Sequence, residues 1–368
     1  MMFEVPVALE EAVRGAVRAQ LGEAALATGP LVKAIVERSR RYTSERERIA
    51  AAPAGDLAAR AAFFTIADAM KIAIPIGELA GRGALPARRP LRVADVGAGC
   101  GAMTLGLLAC LPDAQLEVTA IDRDAAALRL AADAVARYAG ARVAIHVRTG
   151  DAAGAVPPAD LVVLGSVLNE LEPDAALRVV ERGLAALAGD GALIVVEPAL
   201  RDTTRALHHL RDAAIARGAH VFAPCTRHTA PCPMLARPDD WCHEDRPLRL
   251  PPATAELARL THLRDDGMKL AYLVLRTSPL DLVPDPAAYR VVAAPHAQKG
   301  KLELLGCAPS GHRTLRLLKR HRTATNRDLE RAARGDVLTL TGGTDDGTRV
   351  EVDADTTVTR LEPATARE

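Results

Sequence analysis

Residues 1–90 place their apolar positions at helical spacing, with no alternating stretch. Leu9–Leu26 and Pro30–Ala51 are predicted helices, and Asp56–Leu79, rich in Ala and Ile, is a third. Gly81-Arg82-Gly83 and the prolines at 86 and 90 then break the pattern as a linker. From Leu91 short apolar runs alternate with helical stretches. LRVADVG, LEVTAID, ARVAIHV, DLVVLGSV, GALIVVEP, HVFAP and KLAYLVLRT predict seven strands. Ala102–Cys110, Ala125–Tyr138, Pro173–Leu187 and Thr203–Arg217 predict the helices between them. Such alternation implies a mostly parallel, doubly wound sheet. The expected layout is a helical domain over residues 1–90, an α/β domain over 91–279 with an insert at 224–267, and a small β-rich domain over 280–368. In that last segment VLTLTG and TRVEVDA, with the turn Asp345-Asp346-Gly347 between them, predict a hairpin.

Composition narrows the function classes. Hydrophobic residues make up 49% and charged residues 25% of the 368, the mix of a folded globular protein. Aromatics are only 2%, so the core rests on Leu, Val, Ile and Ala, and extended base-stacking platforms are excluded. A net charge of +1 gives no global pull on nucleic acid. The opening MMFEVPVALEEAV has neither a basic segment nor a sustained apolar run, and no apolar stretch approaches membrane-spanning length. A cytoplasmic, membrane-free monomer is expected. In a reducing compartment the six cysteines are read for metal chemistry rather than disulfides.

The first strand runs into Asp95-Val96-Gly97-Ala98-Gly99-Cys100-Gly101. Glycines here let backbone approach a ligand that side chains would block. Asp95 precedes them, where an acid can serve the ammonium of S-adenosylmethionine (SAM). Asp122, 21 residues beyond Gly101, ends the second strand, where a carboxylate accepts the ribose hydroxyls. Asp151, after the third strand, is placed for the adenine amino group, and Asn169, after the fourth, for the cofactor's substrate side. NAD is the rival ligand, since Gly97-x-Gly99-x-x-Ala102 fits a relaxed dinucleotide pattern. Asp95 and the seventh strand favour SAM and a class I SAM-methyltransferase fold. No amino-methylation or paired-cysteine signature names a catalytic residue. Methyl transfer needs mainly orientation of the nucleophile, so activity stays open.

Cys225, Cys232 and Cys242 fall within one insert studded with Pro224, Pro231 and Pro233, and Cys307 follows in the tail. Cys100 and Cys110 read as packing residues. The four spaced cysteines would complete either a zinc site or an iron–sulfur cluster. Their spacers of six, nine and sixty-four residues lack the Cys-x-x-Cys pairs zinc often uses, while His228 and His243 are further zinc candidates. From Arg313 to Arg334 eight Lys or Arg residues face two acids, a candidate phosphate-binding surface.

Ala-Pro-Cys225, Pro-Cys232-Pro, Asp-Trp-Cys242-His and Lys299-Gly300…Cys307-x-Pro309-x-Gly311 together carry a resemblance. Val196-Glu197-Pro198 and Ala271-Tyr272-Leu273-Val274-Leu275-Arg276 add to it, and Ser39-Arg-Arg-Tyr42 is a weaker match. The chain resembles the methyltransferase-like proteins of the mitochondrial small ribosomal subunit and their bacterial relatives. The resemblance implies a SAM-type fold, a 4Fe–4S cluster on Cys225, Cys232, Cys242 and Cys307, and association with small-subunit rRNA or the pre-ribosomal small subunit. The function it implies is that of an rRNA methyltransferase or assembly factor. Two alternatives are a methyltransferase of a small molecule or protein with structural zinc, and a non-catalytic RNA-binding module.

Overall fold

The computed structural model describes residues 2–44, 54–226, 228, 230–264, 267–283, 285 and 287–361. The chain divides into two compact units. One comprises Met1–Ile76, Pro86–Pro198 and Asp245–Leu270, the other Gly77–Leu85, Ala199–Glu244 and Ala271–Glu368. Among the described residues no helix is long and apolar enough to cross a membrane.

The first unit opens with helices α1 (Val7–Leu21) and α2 (Thr28–Ser44). The last residues predicted for α2, 45–51, lie outside the described residues. A helical run follows from Ala54, with a π-helical turn at Arg60–Thr65 and a 3-10 turn at Ala69–Ile72. Strands β1 (Leu91–Val96), β2 (Leu116–Asp122), β3 (Val143–Thr149), β4 (Ala159–Gly165) and β5 (Leu187–Pro198) alternate with α3 (Ala102–Cys110), α4 (Ala125–Ala139) and α5 (Pro173–Ala185). The strands are parallel in the order β3-β2-β1-β4-β5. β4 is buried over six of its seven residues, Ala159 to Leu164, as a strand covered on both faces must be. The order reverses between β1 and β4, and there the carboxyl ends of the strands open a crevice.

The N-terminal helices pack on this sheet system. α1 buries Leu9, Ala12, Val13, Ala16 and Val17, one helical stripe, against α4, which buries Ala127, Leu128, Ala131, Ala134 and Val135. Small residues on both faces permit close approach. Glu10, 5% exposed, accepts from the backbone N–H groups of Ala253 and Thr254 at 3.2 and 2.7 Å. It thereby caps the helix Pro252–Thr261, whose own N-cap is a proline with no side-chain cap.

In the second unit α6 (Arg201–Ala216) precedes β6 (His220–Ala223), which pairs antiparallel with β7 (Met268–Arg276). An antiparallel final strand after five parallel ones makes this the class I SAM-methyltransferase-like fold expected from the sequence. The tail forms a second sheet from β8 (Tyr289–Val291), β9 (Lys301–Ala308), β10 (Gly311–Leu318), β11 (Val337–Thr341), β12 (Thr344–Asp345), β13 (Arg349–Val352) and β14 (Thr357–Leu361). Their order is β12-β13-β10-β9-β8-β11-β14. Leu302, Leu304, Leu315, Leu317, Leu338, Val350 and Val358 fill its core. The predicted hairpin changes partner here. Gly342 and Gly343 both take positive φ and redirect the chain. The turn at 345–347 therefore joins β12 to β13, while β11 pairs with β14.

Candidate cofactor cleft and four-cysteine cavity

The glycine loop leaves β1 in a conformation that only glycine suits. Gly97 has φ +75°, and a Cβ there would lie 2.2 Å from Val167 Cγ2. The Gly97 and Ala98 amides donate to the Ile121 carbonyl at 2.7 and 3.0 Å, tying the loop to the end of β2. Gly99, φ +52°, would place a Cβ 3.5 Å from Arg60 Nη2 and so lies under that guanidinium. Its amide donates to Asp122 Oδ2 at 2.8 Å, and Asp124 N donates to Oδ1 at 2.8 Å. Each carboxylate oxygen keeps a second lone pair for a ligand.

Asp95 is 1% exposed, and Oδ2 accepts from the Thr104 hydroxyl at 2.6 Å. Its Oδ1 is buried with no hydrogen-bond partner among the described residues. Burial raises its pKa to about 6. A buried acidic oxygen without a partner, next to a glycine loop, fits the ammonium end of SAM. The predicted residues Asp95, Gly97, Gly99 and Asp122 thus lie together at the end of β1 and β2, whereas Gly101, φ +87°, faces α4, where a Cβ would lie 3.1 Å from Ala131 Cβ. Asp151 is exposed and accepts from Ala153 N at 2.7 Å, while the neighbouring Gly150 N donates to the Asp122 carbonyl at 3.0 Å. Asn169 sits in the 3-10 turn Leu168–Glu170 after β4.

Sequence patterns alone missed the groups behind this cleft. Arg60 donates to Asp124 Oδ2 at 2.6 Å from the π-helical turn, a lone cation among the buried residues Ala59, Ala61, Ala62 and Phe63. Glu197, 2% exposed at the end of β5, accepts from the amides of Val167 and Leu168 at 3.1 and 2.9 Å and so fixes the turn that carries Asn169. Burial pushes its carboxyl up to about 8. Ser166, just before that turn, adopts φ 57° without being glycine. The single charge between Asp56 and Asp68, in an Ala-rich stretch, was the available signal for Arg60.

In the second unit Cys225, Cys232, Cys242 and Cys307 line one cavity of ≈ 60 Å³, together with Arg211, Tyr272 and Arg290. Cys225 and Cys232 come from the loop after β6, Cys242 from the same insert, and Cys307 from β9. Among the described residues no group of three or more His, Cys, Asp or Glu is gathered to hold a single metal ion. The four cysteines share only the lining of that cavity. Burial, then the neighbouring Cys225, raises Cys232 to about 12, and Cys242 and Cys307 are raised by burial and by the other cysteines.

Arg290 Nη2 is buried with no hydrogen-bond partner among the described residues, while its other nitrogens reach the Pro224 carbonyl at 2.8 Å, Glu78 at 2.8 Å and the Gly335 carbonyl at 2.6 Å. A buried cationic nitrogen lacking a partner on the cavity wall fits an anionic occupant. Four sulfur ligands and that nitrogen suit a thiolate-bound cluster. His228 accepts from Val221 N at 3.1 Å and stacks on His220, whereas His243 stacks on Trp241 and contacts Arg334 at 2.8 Å. Cys100 and Cys110 are raised to about 11 and about 12 by burial, as befits packing thiols.

The basic stretch is partly neutralised. Arg313 pairs with Asp345 at 3.0 Å, Arg316 with Glu351 at 2.5 Å and Arg322 with Glu330 at 2.8 Å. Lys319 and Arg320, in the 3-10 turn after β10, are exposed and show no ion pair among the described residues.

The family model described as mitochondrial small ribosomal subunit Rsm22 matches residues 76–339. No curated protein matches the chain. Among solved structures, magnesium protoporphyrin IX methyltransferase from Synechocystis PCC 6803 with bound SAM is 12% identical, covering 67% of this chain and 97% of its own at TM-score 0.38. The plantazolicin methyltransferase in complex with S-adenosylhomocysteine is 12% identical, covering 73% of this chain and 99% of its own at TM-score 0.37. An O-methyltransferase from neocarzinostatin biosynthesis is 20% identical at TM-score 0.30, covering 36% of this chain, which spans 45% of that protein's length.

Proposed function

The chain belongs to the family of the mitochondrial small ribosomal subunit protein Rsm22, and from that premise we propose that it binds SAM and acts on small-subunit rRNA as a methyltransferase or assembly factor. The observation that carries the cofactor assignment is the crevice at the reversal of strand order. There the positive-φ glycines Gly97 and Gly99 follow Asp95, whose Oδ1 has no hydrogen-bond partner among the described residues, and the Gly99 amide donates to Asp122. Asp95 would hold the ammonium, Asp122 the ribose hydroxyls and Asp151 the adenine amino group, with Asn169 on the substrate side. Bound there, SAM supplies an electrophilic methyl group. The chain's own part is to orient it and exclude water. Glu197 keeps the turn at 167–169 in place through two backbone bonds.

In the four-cysteine cavity our reading is a 4Fe–4S cluster in preference to zinc, supported by four cysteines and Arg290, with its buried unpartnered Nη2, lining one cavity. Cys225, Cys232, Cys242 and Cys307 would be the ligands, and the cluster's role would be structural.

Calorimetry tests the cofactor site. Asp122→Ala should weaken SAM binding by about 1.5–3 kcal/mol, the range for losing a charged acceptor. Unchanged affinity in a variant with unchanged melting temperature rejects the site. Anaerobic purification with iron, sulfide and zinc assays tests the cluster, and RNA recovered with the protein tests the rRNA assignment. Zinc in place of iron, or no rRNA enrichment, would reject those parts separately.

A further inference from the structure

Helix α6 turns one face to three of the four cysteines. His208 Nε2 lies 3.7 Å from Cys242 Sγ and 3.4 Å from Cys242 N. Arg211 Nε donates to Cys225 Sγ at 3.2 Å. Asp212 Oδ2 accepts from Cys232 N at 2.8 Å. Positions 208, 211 and 212 are three and four residues apart, the spacing that brings side chains to one side of a helix. The contacts differ in kind. Asp212 holds backbone, and the His208 approach to sulfur is long. Arg211 makes a direct N–H···S bond from a side chain only 4% exposed.

Arg211 also reaches Asp212 Oδ1 at 2.5 Å through Nη1, so its orientation is fixed from both ends. Arg290, the other cation on the cavity wall, commits Nη1 and Nε to Glu78, Gly335 and Pro224. Glu244 is the further acid lining the cavity. A guanidinium does not lose its proton, so the positive charge of Arg211 beside the Cys225 sulfur is permanent.

We propose that Arg211 is a positioning residue that sets the reduction potential of the four-cysteine centre, by donating to the Cys225 sulfur and offsetting the charge of its thiolates. The inference rests on the cluster reading above. An all-thiolate 4Fe–4S centre carries a charge of −2 when oxidised and −3 after it accepts one electron from an added reductant such as dithionite. A buried cation at one ligand favours the more negative state, because solvent is absent to screen it. Donation to the ligand sulfur acts in the same sense.

The test is a dithionite titration of anaerobically purified full-length protein, followed by visible absorbance and by electron paramagnetic resonance. Arg211→Gln keeps a donor but removes the charge. It should hold iron and sulfide yet shift the reduction equilibrium toward the oxidised form by on the order of tenfold, about 59 mV for one electron. Arg211→Lys, which keeps the charge, should recover most of that shift. If Arg211→Gln assembles no cluster but Arg211→Lys does, the charge serves assembly, and the proposal that it sets the potential is overturned. An unchanged midpoint in a cluster-loaded Arg211→Gln overturns the proposal and leaves the cluster standing. Equal loss of cluster in both variants overturns it too, since the residue would then serve shape alone. Wild-type protein without iron removes the cluster reading itself.

Discussion

Glu197 concentrates the chemistry of the cofactor unit in one side chain. It is buried at the end of β5, accepts two backbone bonds, and still titrates at about 8 because burial disfavours its charge. In the unfolded chain it titrates near 4.5. Between those values the folded state holds a proton that the unfolded state has released. Its contribution to stability is therefore complete below the ordinary carboxylate range and is lost as pH rises through about 8. Asp95, raised to about 6, acts with the same sign over a narrower window. We expect the melting temperature of the wild type to fall from about pH 5 to about pH 8 more steeply than that of Glu197→Gln, which cannot titrate. Parallel curves for the two proteins would show that Glu197 is not the group responsible.

Secondary-structure elements were legible where burial is periodic or complete. The helix Ala102–Cys110 and the strand Leu116–Asp122 lie where the pattern predicts. The tail was less so. β9 alternates buried and half-buried positions from Lys301 to Ala308, yet its partners are set by long-range register. The parallel pairing of β10 with β13 left no local signature. The cysteines could be read as a set, but the helix that addresses them could not. His208, Arg211 and Asp212 look like an ordinary polar face until the fold turns that face inward. β9 carries Cys307 between β8 and β10, so a cluster would tie that ladder to the loop after β6. Cys307→Ser should abolish any cluster absorbance and speed amide hydrogen exchange across residues 290–335, while residues 91–122 stay protected. Unaltered exchange across 290–335 would mean that the tail's stability comes from its Leu and Val core alone.

At the scale of the molecule, a net charge of +1 leaves RNA attraction to local surfaces. The ion pairs of Arg316 and Arg322 divide the basic stretch into neutralised and exposed cations. For rRNA binding, Lys319→Ala and Arg320→Ala should each flatten the slope of log K against log salt by roughly 0.7–0.9, and Arg316→Ala and Arg322→Ala by less. Equal effects at all four positions would mean that RNA displaces Glu351 and Glu330. The path of the backbone has a consequence of another sort. The chain leaves the second unit at Glu244, completes the first with Asp245–Leu270, and only then returns to make Cys307. During synthesis the strands that cradle the glycine loop are finished before the fourth thiol leaves the ribosome. A nascent chain stopped short of residue 307 would own a finished nucleotide cleft and a ligand set of three. Cluster loading would therefore report that synthesis has passed residue 307, the position of the last ligand to be made.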